Sequence, residues 1–359
     1  MRKGILAKAA ALLLTLAFVL AGCGNKAKEE WQTLKQDRTD GKENAAQQED
    51  ADTAEDDMAS GKENTAAGEE DIPPEQMDLI KYNYYVELNN QLIEILNSID
   101  YYYQVVEDAE EFSLLPDTGL TYGYRVYGNN TDTLEDCLLL ADMEPSYGDV
   151  DALVKEMAQP LGALMQTFLD ISSSNDYADN QYQKAKEYHA VIRENTDVVV
   201  ELGYSFMDAI DEMGDAKTAE EEEKMKAEGN LIIYNASRSI SIGKQILDEV
   251  YEQGVNDSNL TDLDLTEIQI LHDELVEVVA DFDAATADND QLIKESLSNS
   301  RPFDGLYDGL IDALEWMMKQ VESGTLPDMS GSGAPLGSLE HFSEVLGQCV
   351  DRYNSVFVE

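Results

Sequence analysis

Apolar side chains recur every three or four positions over most of the chain after Pro73, and this spacing places them on one face of a helix. The clearest apolar stripe comprises Met77, Ile80, Tyr84, Leu88, Leu92, Ile95, Ile99, Tyr102 and Val106. Similar stripes predict further helices near 150–168, 178–213, 218–253, 266–296, 303–321 and 336–357. Because each apolar face must be covered by another, the pattern predicts an all-α fold, an elongated antiparallel helical bundle.

Proline and glycine predict where some of these helices are interrupted. Gly214 predicts the end of one long helix, and the next helix is expected to begin at Thr218. Pro160 lies inside another apolar stripe, where it is expected to kink or divide the helix.

A short part of the chain does not follow the helical period. In residues Gly119 to Tyr127, apolar and polar side chains alternate roughly, and the segment contains two glycines. We therefore predict a small irregular or hairpin insertion at about 113–148, between the first two long helices. The repeated alternation of strands and helices that is typical of an α/β binding protein does not occur.

The N-terminus has the features of an export signal. A basic start at Arg2 and Lys3 precedes an apolar run that is too short to span a bilayer. The sequence Leu20-Ala21-Gly22-Cys23 then resembles the lipobox of bacterial lipoproteins. This resemblance implies that residues 1–22 are a signal peptide and that Cys23 carries fatty acyl chains such as palmitate. The alternative is an ordinary signal peptide followed by an unrelated cysteine.

Residues 23–72 are expected to tether the folded domain, 73–359, to the lipid. The segment has few large apolar residues, so it cannot bury enough surface to offset the entropy of ordering. We predict a disordered acidic tether with a root-mean-square span of roughly 40 Å. Trp31 is the exception, and we expect it to contact the membrane interface. The predicted location is the cell membrane, with the domain facing outside the cytoplasm.

The charge of the chain restricts its partners. The formal net charge of −50 repels phosphates, so the composition argues against nucleic acid as a partner. Basic partners or loosely held cations fit such a surface better. Cys137 and Cys349 lie in apolar segments and are predicted to be buried thiols, although export also permits a disulfide between them.

Motifs of known enzymes do not occur in the sequence. Gly203 to Met207 lacks the closing glycine of a nucleophile elbow, and residues 257–268 lack the glycine and glutamate of a calcium loop. No zinc-protease helix, phosphate-binding loop or dinucleotide fingerprint is found. We therefore predict no enzymatic activity, no catalytic residue and no cofactor.

The three histidines give little support for a metal site. His341 and Glu344 are one turn apart on a predicted helix, but so acidic a chain brings such pairs together by chance. His189 and His272 have no carboxylate three or four residues away. The prediction is that the chain has no metal ligands.

The segment KYNYYVELNNQL, residues 81–92, contains the candidate ligand-binding side chains. Tyr82, Asn83, Tyr85 and Asn89 offer rings and hydrogen-bonding groups that suit a small-molecule pocket. The competing interpretation is a buried seam in which each tyrosine packs its ring and finds a partner for its hydroxyl.

Three segments resemble the YiiG-like family of bacterial lipoproteins. They are residues 81–92, YADNQYQKAKEYHAVIRE at 177–194 and RYNSVF at 352–357. The resemblance covers roughly residues 78–357 apart from the insertion. It implies a helical fold and a lipid anchor, and it assigns no activity.

Two hypotheses of function follow from these observations. The first is a lipid-anchored helical interaction or scaffold protein whose partners are the membrane, through Cys23, and an unknown envelope protein or polymer. The alternative is a small-ligand or cation-binding lipoprotein that uses an inter-helical cleft of tyrosine, asparagine and carboxylate side chains.

Overall fold

The computed structural model describes residues 31, 32, 35, 72–116, 126–174, 176–299, 303–331 and 333–357. The helices within these ranges are α1 Pro74–Tyr103, α2 Asp132–Leu140, α3 Asp149–Ser173, α4 Asp179–Glu228, α5 Leu231–Glu252, α6 Leu265–Ala287, α7 Asn289–Lys294, α8 Leu306–Ser323 and α9 Leu339–Phe357. No β-strand is formed by these residues, which contain an isolated antiparallel bridge between Val106 and Leu114. The predicted all-α helical bundle is confirmed. In the same ranges, every helix is too short or too polar to cross a lipid bilayer.

The buried apolar side chains form two separate cores. The first core is built by α1, α2, α3 and the part of α4 that ends at Ile210. The second core is built by α5 to α9. Within these cores α3 packs mainly on α4, α5 on α6, and α8 on α9. The helix α4 therefore belongs to the first core and continues toward the second.

The prediction that Gly214 ends a helix is wrong, because α4 continues through it as far as Glu228. Gly229 ends this helix in the left-handed conformation, with φ 71° and ψ 29°. A Cβ atom built on Gly214 would lie 2.9 Å from the hydroxyl oxygen of Tyr82. The glycine therefore leaves room for the Tyr82 hydroxyl between α1 and α4, which the sequence pattern does not reveal.

Pro160 does not divide its helix either. The helix α3 runs without a break from Asp149 to Ser173, with the proline inside it. Met157 and Leu161, on either side of Pro160, are both buried in the first core. Packing on both sides of the proline outweighs the loss of one backbone hydrogen bond.

The insertion between α1 and α3 contains a helix that the sequence pattern did not predict. Residues 117–125, which hold most of the expected hairpin, lie outside the described residues. The helix α2 contributes Leu134, Cys137 and Leu140 to the first core. Three apolar residues make a stripe too short to be recognised by its period.

Most of the predicted tether, and Cys23 with it, lies outside the described residues. The described residues Trp31, Gln32 and Lys35 are helical. Trp31 is 1% exposed and belongs to the first core. The expectation that Trp31 contacts the membrane interface is therefore corrected, because the folded domain buries its ring.

The two cysteines of the folded domain, Cys137 and Cys349, are both free and buried. Cys137 belongs to the first core and Cys349 to the second. The prediction of buried thiols is confirmed, and no disulfide joins the two residues.

Candidate binding cleft and tyrosine seam

The segment 81–92 lies on α1 and supplies a buried polar seam. Lys81 is fully buried, and its ammonium group donates to the carbonyl oxygens of Met143 at 3.0 Å and Pro145 at 2.9 Å. Its third bond, of 3.0 Å, goes to the carboxylate of Asp151 on α3. Three donors meet three acceptors, so the amine is fully satisfied and holds the insertion against α1.

The tyrosine hydroxyls take part in the same seam. Tyr85 donates to Asp151 at 2.6 Å, and Tyr147 donates to the Asp78 carboxylate at 2.7 Å. Burial, followed by these carboxylates, raises the pKa of both tyrosines above the ordinary value. The hydroxyls therefore act as hydrogen-bond donors rather than as bases.

The structure places the four candidate residues in different surroundings. Tyr82 is buried, with the Lys217 ammonium 5.2 Å from its ring centroid, and Tyr85 is bound to Asp151. Asn89 is buried, and neither atom of its amide group has a hydrogen-bond partner among the described residues. Asn83 is half-buried. None of the four lines the cleft described next, and their role in binding stays a prediction.

A polar cleft of about 460 Å³ opens beside this seam, between α1 and the beginning of α2. Its walls consist of amide, hydroxyl and carboxylate side chains together with one glycine. The lining residues are Gln32, Tyr84, Glu87, Gln91, Gly128, Asn129, Asn130, Asp132, Thr133 and Asp136. The cleft therefore suits a ligand that donates hydrogen bonds or carries positive charge.

Hydrogen bonds fix the walls of the cleft. Gln91 donates to the Thr133 hydroxyl at 3.1 Å, and Thr133 donates to Glu87 at 3.2 Å. On the next turn of α1, Glu94 accepts a bond of 2.8 Å from Asn129. The side-chain oxygen of Gln91 is buried and has no partner among the described residues, so it remains open to a donor.

The segment before the folded domain enters this cleft. Lys35 lies 2.6 Å from one carboxylate oxygen of Asp136, and Gln32 donates to the other at 3.2 Å. Gln32 also donates to the hydroxyl of Tyr84 at 3.2 Å. The Trp31 ring meets the Tyr84 ring edge-on, with centroids 6.2 Å apart. Two residues that line the cleft, Asp136 and Tyr84, thus contact an ammonium group, an amide and an aromatic ring of this segment.

The electrostatics of the cleft do not favour nucleophilic chemistry. Burial raises the pKa of Tyr84 to about 12, and the nearby Asp136 and Glu87 act in the same direction. Burial also raises the pKa of Cys137, whose thiol donates to the Tyr84 carbonyl at 3.3 Å. Both groups stay protonated near neutral pH, so the cleft offers hydrogen bonds and negative charge.

The histidines lie away from this cleft. His189 is buried, with Nε2 2.9 Å from the carbonyl oxygen of Ala109 and Nδ1 2.9 Å from the Tyr102 hydroxyl. Since a carbonyl only accepts, Nε2 carries the proton and Nδ1 accepts from Tyr102. His341 packs near Trp316, with ring centroids 5.7 Å apart. Among the residues that the structure describes, no three His, Cys, Asp or Glu side chains are grouped so as to hold a metal ion.

The sequence alone does not reveal the cleft, because its residues come from distant parts of the chain. The sequence pattern places Tyr84 only in the apolar stripe of α1, and Thr133 and Asp136 fall within the insertion. A signal was present on α1, where Tyr84, Glu87 and Gln91 follow one another at steps of three and four. Nothing in the sequence shows which element covers that row.

Comparisons with known proteins add one finding to this geometry. Residues 76–355 match a family described as "Protein of unknown function (DUF3829)". Neither the curated proteins nor the solved structures give a match.

Proposed function

We propose that this chain, which belongs to DUF3829, a family of proteins of unknown function, is a lipid-anchored helical interaction module outside the cytoplasmic membrane. Its anchor is the lipid on Cys23. Its binding surface is the cleft between α1 and α2, and its partner is a protein or polymer of the cell envelope.

The proposal of an anchor is supported by the N-terminal sequence. The basic start, the short apolar run and the lipobox-like Leu20-Ala21-Gly22-Cys23 agree with one another. We also include in this proposal the resemblance of three segments to the YiiG-like lipoproteins, which implies a lipid anchor as well. Two or more acyl chains would hold the protein stably at the membrane.

The observation that carries the binding proposal is the contact between Lys35 and Asp136. The Asp136 carboxylate, whose side chain is 4% exposed, accepts a hydrogen bond of 2.6 Å from the ammonium group of Lys35, in a distant part of the chain. Tyr84, which also lines the cleft, accepts a hydrogen bond from the Gln32 amide and contacts the Trp31 ring edge-on. These are the side chains of a polypeptide, so the geometry supports a protein partner best.

The anchor is tested by expressing the full chain and its Cys23→Ser variant in a bacterium that lipidates proteins. We expect the unchanged chain in the membrane fraction with incorporated radioactive palmitate, and the variant without label. A chain that is exported, unlabelled and free in the medium would contradict the anchor. A variant of the buried Cys349 that retains the label shows that labelling is specific to Cys23.

The binding function is tested by cross-linking in the envelope. A photoreactive amino acid at Asn130, an exposed residue of the cleft, is expected to capture a defined envelope component. The matched control places the same group at Ile293, which is 74% exposed on α7. Equal capture from both positions would contradict a specific role for the cleft.

The second candidate function, binding of a cation, is favoured by the oxygen atoms around the cleft. Glu87, Asp132 and Asp136 line it and make it negative, which attracts a loosely held cation, while no three carboxylates of the described residues are grouped to coordinate one metal ion. Thermal unfolding with and without 1 mM calcium separates the two functions, because a cation that binds the folded state must raise the midpoint. The interaction module predicts no shift, whereas a rise that Asp136→Asn abolishes would favour the cation.

A further inference from the structure

We infer that the segment containing Trp31, Gln32 and Lys35 is an internal ligand of the cleft between α1 and α2, and that it competes with external segments of the same chemistry. The inference deepens the proposed function, on which it rests for the idea that the cleft serves an outside partner. It names that partner's chemistry: a helical peptide that presents an aromatic ring and, one turn later, an ammonium group.

The strongest reason is that Asp136 depends on this segment. Its carboxylate is almost fully buried, and one oxygen accepts from Lys35 at 2.6 Å. The other oxygen accepts from Gln32 at 3.2 Å. No other described residue forms a hydrogen bond or ion pair with this carboxylate. A buried carboxylate without partners is unfavourable, so the site requires a cationic ligand from somewhere.

The aromatic contact gives the site its second element of recognition. Trp31 is 1% exposed, and its ring contacts Tyr84 edge-on with an interplanar angle of 63°. Residues 31 and 35 are separated by one helical turn, so the ring and the ammonium group project from the same side of the segment. The aromatic and cationic contacts therefore form together.

Several features make the docking reversible. The indole N–H of Trp31 is buried without a hydrogen-bond partner, which weakens its binding. The Lys35 side chain is 37% exposed, so dissolved salt screens its attraction to Asp136. The residues that follow, 36–71, are rich in polar and charged side chains and add little apolar surface.

Docking also changes the reach of the domain. Only residues 24–30 separate Cys23 from Trp31, and they span at most about 28 Å when fully extended. After release, the whole segment 24–72 links the lipid to α1, and its maximum extended length is several times greater. An external ligand that takes the cleft would therefore free the domain to move away from the membrane.

Tryptophan fluorescence of the full-length protein in detergent tests the docking. The other tryptophan, Trp316, is removed by Trp316→Phe, so that emission reports Trp31 alone. We expect blue-shifted emission and weak quenching by acrylamide. Asp136→Asn, which keeps the shape but removes the charge, should shift the emission to the red and increase quenching, and 0.5 M salt should act in the same direction. The control is Asp142→Asn, which removes the charge of an exposed ion pair with Lys155, 2.7 Å away. It should leave the emission and the quenching unchanged.

Competition tests the internal-ligand role. A labelled peptide of residues 30–38 is titrated into the full chain and into its Trp31→Ala variant. If the internal segment occupies the cleft nine-tenths of the time, the unchanged chain should bind the peptide about tenfold more weakly than the variant. A peptide with Lys35→Glu should bind neither. Circular dichroism of each variant checks that the helices are retained.

The outcomes separate this inference from the proposed function. Red-shifted, fully quenched Trp31 in the unchanged protein, or equal peptide binding by both chains, would overturn the internal ligand. Loss of palmitate labelling or of envelope cross-links, with the fluorescence and competition results as expected, would overturn the proposed function and leave the internal ligand intact. Should Trp31→Ala lose its helices, Asp136→Asn and salt still decide the question.

Discussion

The two hydrophobic cores of this protein are organised differently. The first core encloses charged and polar side chains. Among them are the ion pair of Lys81 with Asp151 and the ring of His189, which forms two hydrogen bonds. The second core includes a cluster of aromatic rings: Phe282 lies edge-on to Phe303 at 5.3 Å and to Tyr307 at 4.7 Å between ring centroids.

The two cores differ in how precisely their contacts fix the positions of the packed segments. A buried amine with three acceptors is satisfied in one arrangement only, so Lys81 determines where the insertion lies against α1. Aromatic rings tolerate small shifts, because their packing has several favourable geometries. The candidate cleft lies between α1 and α2, and the bonds of Lys81 to Met143 and Pro145 fix the chain directly after α2.

The junction between the two regions is polar. Glu222, near the end of α4, accepts hydrogen bonds from Ser237 at 2.9 Å and from Ser241 at 2.7 Å, both on α5. Nearby, Lys244 lies 2.7 Å from Asp211. Because the regions do not share one apolar core, we expect them to respond separately to mutation.

The largest effect is expected from Lys81→Met, which removes the ammonium and leaves the buried Asp151 carboxylate without its partner. Breaking a buried ion pair in this way costs about 3–5 kcal/mol of unfolding free energy. Chemical denaturation measures the loss. Hydrogen exchange should show it mainly in α1 and α3, and much less in α6 and α8.

The control for this change is Lys155→Met, which removes a partner of Asp142 from an exposed pair. We expect a change below about 0.5 kcal/mol. Equal loss of protection in α1 and α6 after Lys81→Met would show that the two regions unfold as one unit and would contradict separate cores.

Phe282→Leu tests the second core. The substitution loses ring volume and two edge-on contacts, so we expect a loss of about 2 kcal/mol. The decrease in hydrogen-exchange protection should be confined to α6, α8 and α9. Ile293→Leu, at a side chain that is 74% exposed, should be neutral. A loss of protection that extends to α1 would contradict separate cores.

The polar junction makes stability depend on pH. Burial, followed by the nearby Asp211 and Asp215, raises the pKa of Asp248 on α5 from 3.8 to about 7. Between these two values the folded state holds a proton that the unfolded state has released. The free energy of unfolding therefore falls as pH rises through this window. Burial raises the pKa of Glu222 as well, which adds to the same trend.

We expect Asp248→Asn to remove part of the pH dependence of the free energy of unfolding. The difference in this free energy between the variant and the unchanged chain should be about 1–2 kcal/mol more favourable to the variant at pH 8 than at pH 5, after allowance for screening by solvent. Denaturation midpoints of the unchanged chain and the variant across pH 4 to 8 measure the effect. Asp281→Asn, an exposed carboxylate on α6, serves as the control. Parallel curves for the two chains would show that Asp248 does not carry the dependence.

The smallest effects are expected at two glycines that permit close helix contacts, one in each region. A Cβ on Gly214 would lie 2.9 Å from the Tyr82 hydroxyl oxygen, and one on Gly243 would lie 2.6 Å from a methyl group of Leu346. We expect each glycine-to-alanine change to cost about 1 kcal/mol, because crowding outweighs the gain in helix propensity.

A double-mutant cycle sharpens this prediction. Tyr82→Phe removes the hydroxyl, so Gly214→Ala in that background should become neutral or stabilising, while its effect in an otherwise unchanged chain stays unfavourable. The same Tyr82→Phe change should leave Gly243→Ala unaffected, since that contact belongs to the second core. Additive effects of Tyr82→Phe and Gly214→Ala would contradict the close contact as the cause.

Much of the fold follows from local chemistry. The apolar period of three to four residues predicts α1 with its buried face, and Cys137 and Cys349 are buried as their apolar neighbourhoods indicate. The errors concern residues whose role is set by a distant contact. Gly214 has the local features of a helix end, but it serves as a contact point for Tyr82. Trp31 lies in a polar segment, yet the folded domain buries it.

The sequence by itself determined that the chain is helical, strongly acidic and built on amphipathic stripes, because these properties depend on residues within a few turns of one another. Only the tertiary structure decided that the apolar residues divide into two cores and that Lys81 is buried. It also decided that Asp136 meets Lys35. The physical reason is that a side chain's partner across a helix interface is chosen by three-dimensional packing, and an inter-residue separation of a hundred positions leaves no periodic trace in the sequence.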